Sequence, residues 1–295
     1  MTASRPELRQ VLKAIGWSIA FLLCGLAFTT LLLWAGAAVV GRGEVSAGMA
    51  VLQRPGGAQA LAAGTTQLAG FALATWLIGM RFLHLDRRAL RLVPARFGIR
   101  GMVGGLGLGA AAAALALIAA VAAGSAYWSR DTGGPAEYAL QVLKTTAALA
   151  PAALSEEVMF RGVPLVLMAA VAGRATALVL VSAVTFALFH WLNPNVTPLA
   201  IGNIALAGLF LGVAFYAPGG LWTAFGAHLG WNATLAALDA PVSGLPFRIP
   251  LLDYHAGEPS WLSGGQFGPE GGLVATLALA VAIAVAVRWT GKEPA

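Results

Sequence analysis

The sequence predicts an all-α fold: a polytopic transmembrane helical bundle of about eight transmembrane helices, forming a single integral membrane domain over residues 1–295. Three observations predict it. Only 10% of the 295 residues are charged and 59% are hydrophobic, where a soluble chain carries roughly a quarter charged residues. The apolar residues fall in blocks of about 18 or more, the length that crosses ~30 Å of hydrocarbon, and mean hydropathy is +0.79. Finally, the basic residues, which give a net charge of +6, are sorted to one side of the resulting spans, as a topology signal requires.

The spans read as Val11–Val40, Gln59–Leu83, Ile99–Ala123, Leu154–Ala172, Ala175–Trp191, Leu199–Ala217, Leu221–Leu238 and Gly271–Arg288. Tyr138–Ala150 is apolar but short, and Pro151 separates it from the next span. It is either an interfacial helix or the extension of a long, kinked one. The first block follows Arg5, Arg9 and Lys13 and contains Ala35-Gly36-Ala37, as a signal peptide would. Its apolar run is much longer than a signal core, so it is read as a retained span. Cys24, the single cysteine, lies inside this block, which rules out an intramolecular disulfide and argues against a redox role.

With the N-terminus inside, Arg5, Arg9, Lys13, Arg81, Arg87, Arg88, Arg91, Arg96, Arg100, Arg174, Arg288 and Lys292 are cytoplasmic, and Arg42, Arg54, Arg130 and Arg248 fall outside. Both termini are then cytoplasmic, in a multi-pass protein of the plasma membrane. The basic Arg81–Arg100 loop is thereby explained as a topology determinant in contact with membrane lipids, and no nucleic acid partner is implied. The 37 glycines sit inside apolar blocks. Gly101, Gly105 and Gly109 recur every four residues on one span, and Gly208 and Gly212 repeat the spacing on another; such stripes let helices approach closely.

Ionisable groups at membrane depth are costly and rarely incidental. Glu157 and Arg161 are four residues apart on one helical face and can pair. Glu156 points about 100° away from Glu157, which leaves it to face something other than Arg161. His228 and Asn232 share a face four residues apart, and His190 ends its own span. Buried polar groups need partners, so Glu156, His190, His228 and Asn232 are expected to converge. A carboxylate and an imidazole can hold and deprotonate a water molecule, while a second imidazole and a carboxamide can donate to the oxyanion that forms. No serine or cysteine nucleophile is needed. The His-Glu-x-x-His, Gly-x-Gly-Asp and Gly-x-Ser-Gly signatures of other membrane proteases are missing. Glu156, His190 and His228 are also competent ligands for a divalent metal such as Zn²⁺, and spacing leaves a metal-bound water open beside a Glu/His-held one.

At these residues the chain resembles the CPBP family of intramembrane proteases, also called the CAAX prenyl protease 2 or lysostaphin resistance protein A-like family. Glu156-Glu157-x-x-x-Arg161, Phe186-x-x-x-His190 and His228-x-x-x-Asn232 match its three motifs in order, and Gly208–Gly212 and Gly220–His228 resemble its linking segment. The likeness covers a family-like catalytic core at about residues 143–238. It implies Glu156 as the water-activating base with His190, His228 and Asn232 as the oxyanion site, and Glu157 and Arg161 in support. The Ala/Gly/Arg-rich composition points to a bacterial source, where prenylated CAAX substrates are not expected, so the implied activity is an endopeptidase on a peptide or protein of unknown identity. A non-catalytic scaffold or bacteriocin-immunity-type protein, and a proton-coupled transporter using the buried Glu and His as a relay, are the other classes the residues allow. The topology sets the site toward the outer half of the membrane. On that side Trp261–Gly272, polar and not buried, reads as a glycine-hinged lid or substrate-recognition loop, or as an ordinary interhelical connection.

Overall fold

The computed structural model describes residues 7–54 and 56–290; Arg5 and Lys292, assigned to the cytoplasm above, lie outside the described residues. In chain order come α1 (Leu8–Val40), α2 (Val45–Leu52), α3 (Gly57–Ala74, continuing in π-helical geometry over Thr75–Phe82), α4 (Ala95–Ala122), β1 (Ala126–Arg130) and α5 (Pro135–Arg161). Next are α6 (Val163–Ala172), α7 (Arg174–Ala177), a π-helical stretch (Leu178–Thr185), α8 (Phe186–Phe189), α9 (Pro198–Phe215) and α10 (Leu221–Ala237). The chain closes with β2 (Leu252–Ala256), α11 (Ser260–Ser263), the 3₁₀ turns Gly265–Phe267 and Pro269–Gly271, and α12 (Leu273–Thr290). The fold is all-α, a helical membrane bundle. Among the described residues, its sheet is the antiparallel pair β1–β2, registered from Ala126 against Ala256 to Arg130 against Leu252.

Among the described residues, five helices are long and apolar enough to cross a membrane: Leu8–Val40, Gly57–Phe82, Ala95–Ala122, Pro198–Phe215 and Leu273–Thr290. The three remaining expected spans are also helical, but shorter or broken. Arg174–Phe189 is a composite of α7, the π-helical stretch and α8, and α10 has 17 residues. The expected Leu154–Ala172 span is corrected. Pro151 lies inside α5, which runs on to Arg161, so Tyr138–Ala150 is the extension of a long helix. The break comes instead at Gly162, whose ψ of −118° is not helical, and Pro164 opens the first turn of α6. Proline is at home in a first turn, where its missing N–H is not needed.

The chain clusters into two compact units, residues 1–92 with 148–181 and residues 93–147 with 182–295. In the first, α1 and α3 pack through Phe21 and Phe71, ring centroids 5.7 Å apart. A Cβ at Gly25 would overlap the Phe71 ring, and one at Gly70 would overlap Thr29. Gly64 of α3 lies against Ala152 of α5, where a Cβ would come within 2.9 Å of the Ala152 nitrogen. Glycine here removes the bulk that would hold the helices apart.

In the second unit the glycine stripe of α4 finds its partner. Side chains at Gly105 and Gly109 would overlap the carbonyl oxygens of Thr223 and Ala227 on α10, and side chains at Gly226 and Gly230 of α10 would overlap those of Met102 and Leu106. The two backbones interlock, each supplying glycine where the other supplies a carbonyl. This packing seats the helix that carries His228 and Asn232. Thr197 caps α9, its side chain accepting from the Ala200 N–H at 3.1 Å, and Pro198 opens the helix, a pairing that favours initiation. Beyond α10, the Trp128 indole N–H donates to the Leu238 carbonyl at 2.7 Å and the Tyr138 hydroxyl to that of Ala237 at 3.2 Å, satisfying end-of-helix acceptors. Asp239, at φ 60°, then anchors the following loop, accepting from the N–H groups of Ile249 (2.9 Å) and Tyr254 (3.2 Å).

Candidate active site

The first motif lies in the first unit, near the C-terminal end of α5. Glu157 and Arg161 form the expected pair on one helical face: Arg161 Nη1 donates to Glu157 Oε1 at 3.2 Å, and both side chains are fully buried. Breaking such a buried pair costs several kcal/mol, about 3–5, so the two act as one unit. Glu156 is half-buried beside them.

The second and third motifs meet within the second unit. His190, His228 and Asn232 line one cavity together with Phe186, Phe210, Trp231, Ser243 and Glu270. The cavity measures about 20 Å³, room for about one water molecule. α8 ends at Phe189, and its last turn folds His190 back: Nδ1 lies 2.8 Å from the Phe186 carbonyl oxygen. A carbonyl only accepts, so Nδ1 carries the proton and Nε2 is the basic nitrogen. The Phe186 ring packs against both imidazoles, its centroid 4.6 Å from that of His190 and 6.1 Å, edge-on, from that of His228. This gives Phe186 two roles in Phe186-x-x-x-His190: its carbonyl fixes the tautomer and its ring packs against both histidines. The π-helical stretch leading into α8 is held to α9 by Ser182, whose hydroxyl donates to the Gly208 carbonyl at 2.8 Å. At Gly208 any Cβ would overlap the Ser182 carbonyl. The glycine of the linking segment is therefore a close-packing position beneath His190.

Sequence reading missed Glu270. Only 5% exposed, it lies between α10 and α12 and lines the same cavity. Its Oε1 accepts from the Trp231 indole N–H at 3.0 Å, and its Oε2 accepts from the Ser243 hydroxyl at 3.1 Å and from the Ser243 N–H. Burial pushes its carboxyl above the ordinary range, and the bonds from Ser243 and Trp231 oppose that shift. Its backbone is fixed as well: Asn203 Nδ2 donates to the carbonyls of Glu270 and Gly272, both at 2.8 Å, while Asn203 Oδ1 accepts from Thr276 at 2.6 Å. The expectation that Trp261–Gly272 is polar but not buried is thus corrected. Trp261 is exposed, but Ser263, Phe267 and Glu270 are buried. The segment is drawn inward because Asn203 and Trp231 supply donors that its carbonyls and carboxylate complete. One signal was available in the sequence: a lone acid, Glu270, adjoining an apolar span.

Among the described residues, no group of three or more His, Cys, Asp or Glu is arranged to hold a metal ion. Within the cavity, Glu270 already serves three donors. The donor set that zinc needs is not assembled among the described residues. What the cavity offers is one imidazole with a defined basic nitrogen, a second imidazole, a carboxamide, and space for a small oxygen nucleophile or oxyanion.

Comparison with known proteins adds one finding. Residues 138–234, a third of the chain, match the family described as type II CAAX prenyl endopeptidase Rce1-like. Neither a curated protein nor a solved structure matches the chain. The matched segment contains all three motifs, from Glu156 to Asn232. Over that segment the chain is similar to the CAAX-protease type of membrane protein.

Proposed function

We propose that this protein is an intramembrane endopeptidase that hydrolyses peptide bonds with a water molecule activated by Glu156 and His190. The observation that supports it is the meeting of His190 from one motif with His228 and Asn232 from another, on different elements, around one cavity within a segment matching a peptidase family. The steps follow from the side chains. Glu156 takes a proton from water, with His190 Nε2 accepting a hydrogen bond from it, and the water oxygen adds to the scissile carbonyl carbon. The carbonyl electron pair moves onto oxygen, where His228 and the Asn232 amide donate to it. The oxyanion then collapses, the C–N bond breaks, and the proton held by Glu156 passes to the leaving nitrogen. Glu157 and Arg161 keep this end of α5 rigid. Such donors act strongly because little water competes with them.

The substrate is a peptide or protein segment that enters the membrane protein from its surface, and the chain sits in the plasma membrane with both termini cytoplasmic. The decisive experiment uses the full chain reconstituted in liposomes with a peptide library. Wild type yields defined fragments, and Glu156→Ala lowers the rate by about 10²–10⁴-fold. Equal fragment yields from both proteins sink the reading. A phenotype in cells shared by wild type and Glu156→Ala indicates a scaffold, and proton-coupled flux lost in Glu156→Gln indicates a transporter. Sidedness is read by labelling Trp261→Cys, since Trp261 is exposed whereas the nearby Ser263 is buried. Labelling from outside alone agrees with the topology, and labelling from the cytoplasm alone inverts it.

A further inference from the structure

We propose that Glu270 is a positioning residue of the same pocket, fixing the His228–Asn232 face of α10 through Trp231 and tying that face to the turn at Ser243. Its kinetic consequence rests on the endopeptidase reading; the clamp itself does not.

The geometry separates Glu270 from a base. One carboxylate oxygen takes the Trp231 indole N–H and the other takes both the N–H and the hydroxyl of Ser243. A carboxylate committed to three donors is a strong acceptor hub and is poorly placed to collect a proton from water. A buried carboxylate is also expensive to keep unless its bonds accomplish something that an apolar residue would not. What these bonds join is specific. Trp231 stands on α10 three residues after His228 and one before Asn232, so the indole that Glu270 holds sits between the two proposed oxyanion donors in sequence. Ser243 lines the cavity too, and its carbonyl accepts from Asn193 at 2.9 Å, three residues beyond His190. One carboxylate therefore links the loop after His190 to the helix bearing His228 and Asn232.

Glu270 is itself immobilised from two helices. Asn203 of α9 donates to the Glu270 and Gly272 carbonyls and accepts from Thr276 of α12. The chain of held groups runs Thr276, Asn203, Glu270, Trp231. Oxyanion donors act only when held at the right distance, and small misplacements are costly. A clamp of this kind supplies that precision without touching the substrate.

The test uses the full-length protein in nanodiscs, with Glu270→Gln, Glu270→Ala, Trp231→Phe and the Glu270→Gln/Trp231→Phe double variant. Gln can accept from Trp231 or from Ser243 but not from all three donors. Phe keeps the ring and removes the indole N–H. Glu270→Gln is expected to lower kcat by about 10- to 100-fold with KM within about twofold, and Trp231→Phe to do the same. The double variant should be no slower than the slower single one, because both break one link. Hydrogen exchange at the Ser243 amide should quicken at least about tenfold in Glu270→Ala. Unchanged Ser243 exchange overturns the clamp whatever the peptide assay gives, and kcat losses that multiply in the double variant overturn action through Trp231. A wild type that cuts no peptide, with Ser243 exchange still released by Glu270→Ala, sinks the endopeptidase reading and leaves the clamp standing.

Discussion

Helices α1 and α9 are almost equally apolar, yet 11% of the most apolar stretch of α1 is buried against 56% of that of α9. In water such a difference would be unstable, because exposed Leu and Ile would seek a core. In a bilayer it is permitted, since lipid tails are as apolar as the side chains and give no preference for the inside. Burial must then be specified by other features. On α9 these are Gly208, which lets a neighbouring backbone approach, and Asn203, whose amide makes three hydrogen bonds. On α1 the large side chains Leu23, Leu26 and Leu31 are exposed and the surface is that of a lipid-facing helix. Small and polar residues, more than hydropathy, therefore mark the helices that build a membrane site.

Substitutions can break this comparison. The largest effect is expected at the α4–α10 seam. Gly105→Leu drives a side chain into the Thr223 carbonyl and should cost about 3 kcal/mol or more, seen as loss of the folded species in detergent titration. Asn203→Ala leaves the Glu270 and Gly272 carbonyls and the Thr276 hydroxyl without their donor or acceptor and should cost about 1–3 kcal/mol. Leu26→Ala on α1 should change stability by less than about 0.5 kcal/mol, because lipid takes the place of the lost methyl groups. If Gly105→Leu were tolerated as well as Leu26→Ala, the contrast between the two kinds of helix would collapse.

The smallest effect sits in the loop after α10. Burial raises the Asp239 carboxyl above its ordinary value, while the Ile249 and Tyr254 N–H groups oppose the shift. The folded protein therefore keeps this proton to higher pH than the unfolded chain. Its contribution to stability is whole below the unfolded value and is lost as pH rises through the raised one. Melting temperature should slip slightly across that acidic window in wild type and stay level in Asp239→Asn.

Sequence disclosed much of this architecture, for reasons specific to particular residues. The glycine spacing at Gly101, Gly105 and Gly109 announced a packing face, because only small residues permit backbone contact. It could not name α10 as the partner, since Gly226 and Gly230 form a shorter stripe on a helix read mainly for its histidine. The pairing of Glu157 with Arg161 was legible from helical period alone. Of Glu156, His190, His228 and Asn232, expected together from the cost of isolated polar groups in lipid, the last three line one cavity. Pro151 misled because proline usually ends a soluble helix, whereas Gly162 followed by Pro164 was the stronger break. The β1–β2 pair was hidden: five residues on each side, far apart in sequence and without alternation, carry no local signal. Glu270 was hidden by its surroundings, since its burial depends on Asn203 and Trp231, which are distant in the chain.

The central claim is that the cavity shared by His190, His228 and Asn232 performs hydrolysis. Its most direct test is the turnover of one cleaved peptide by wild type and His228→Ala in the same liposomes, with melting measured alongside. A loss of about 10²–10³-fold in kcat at an unaltered melting temperature is expected. Equal turnover by the two proteins would contradict it.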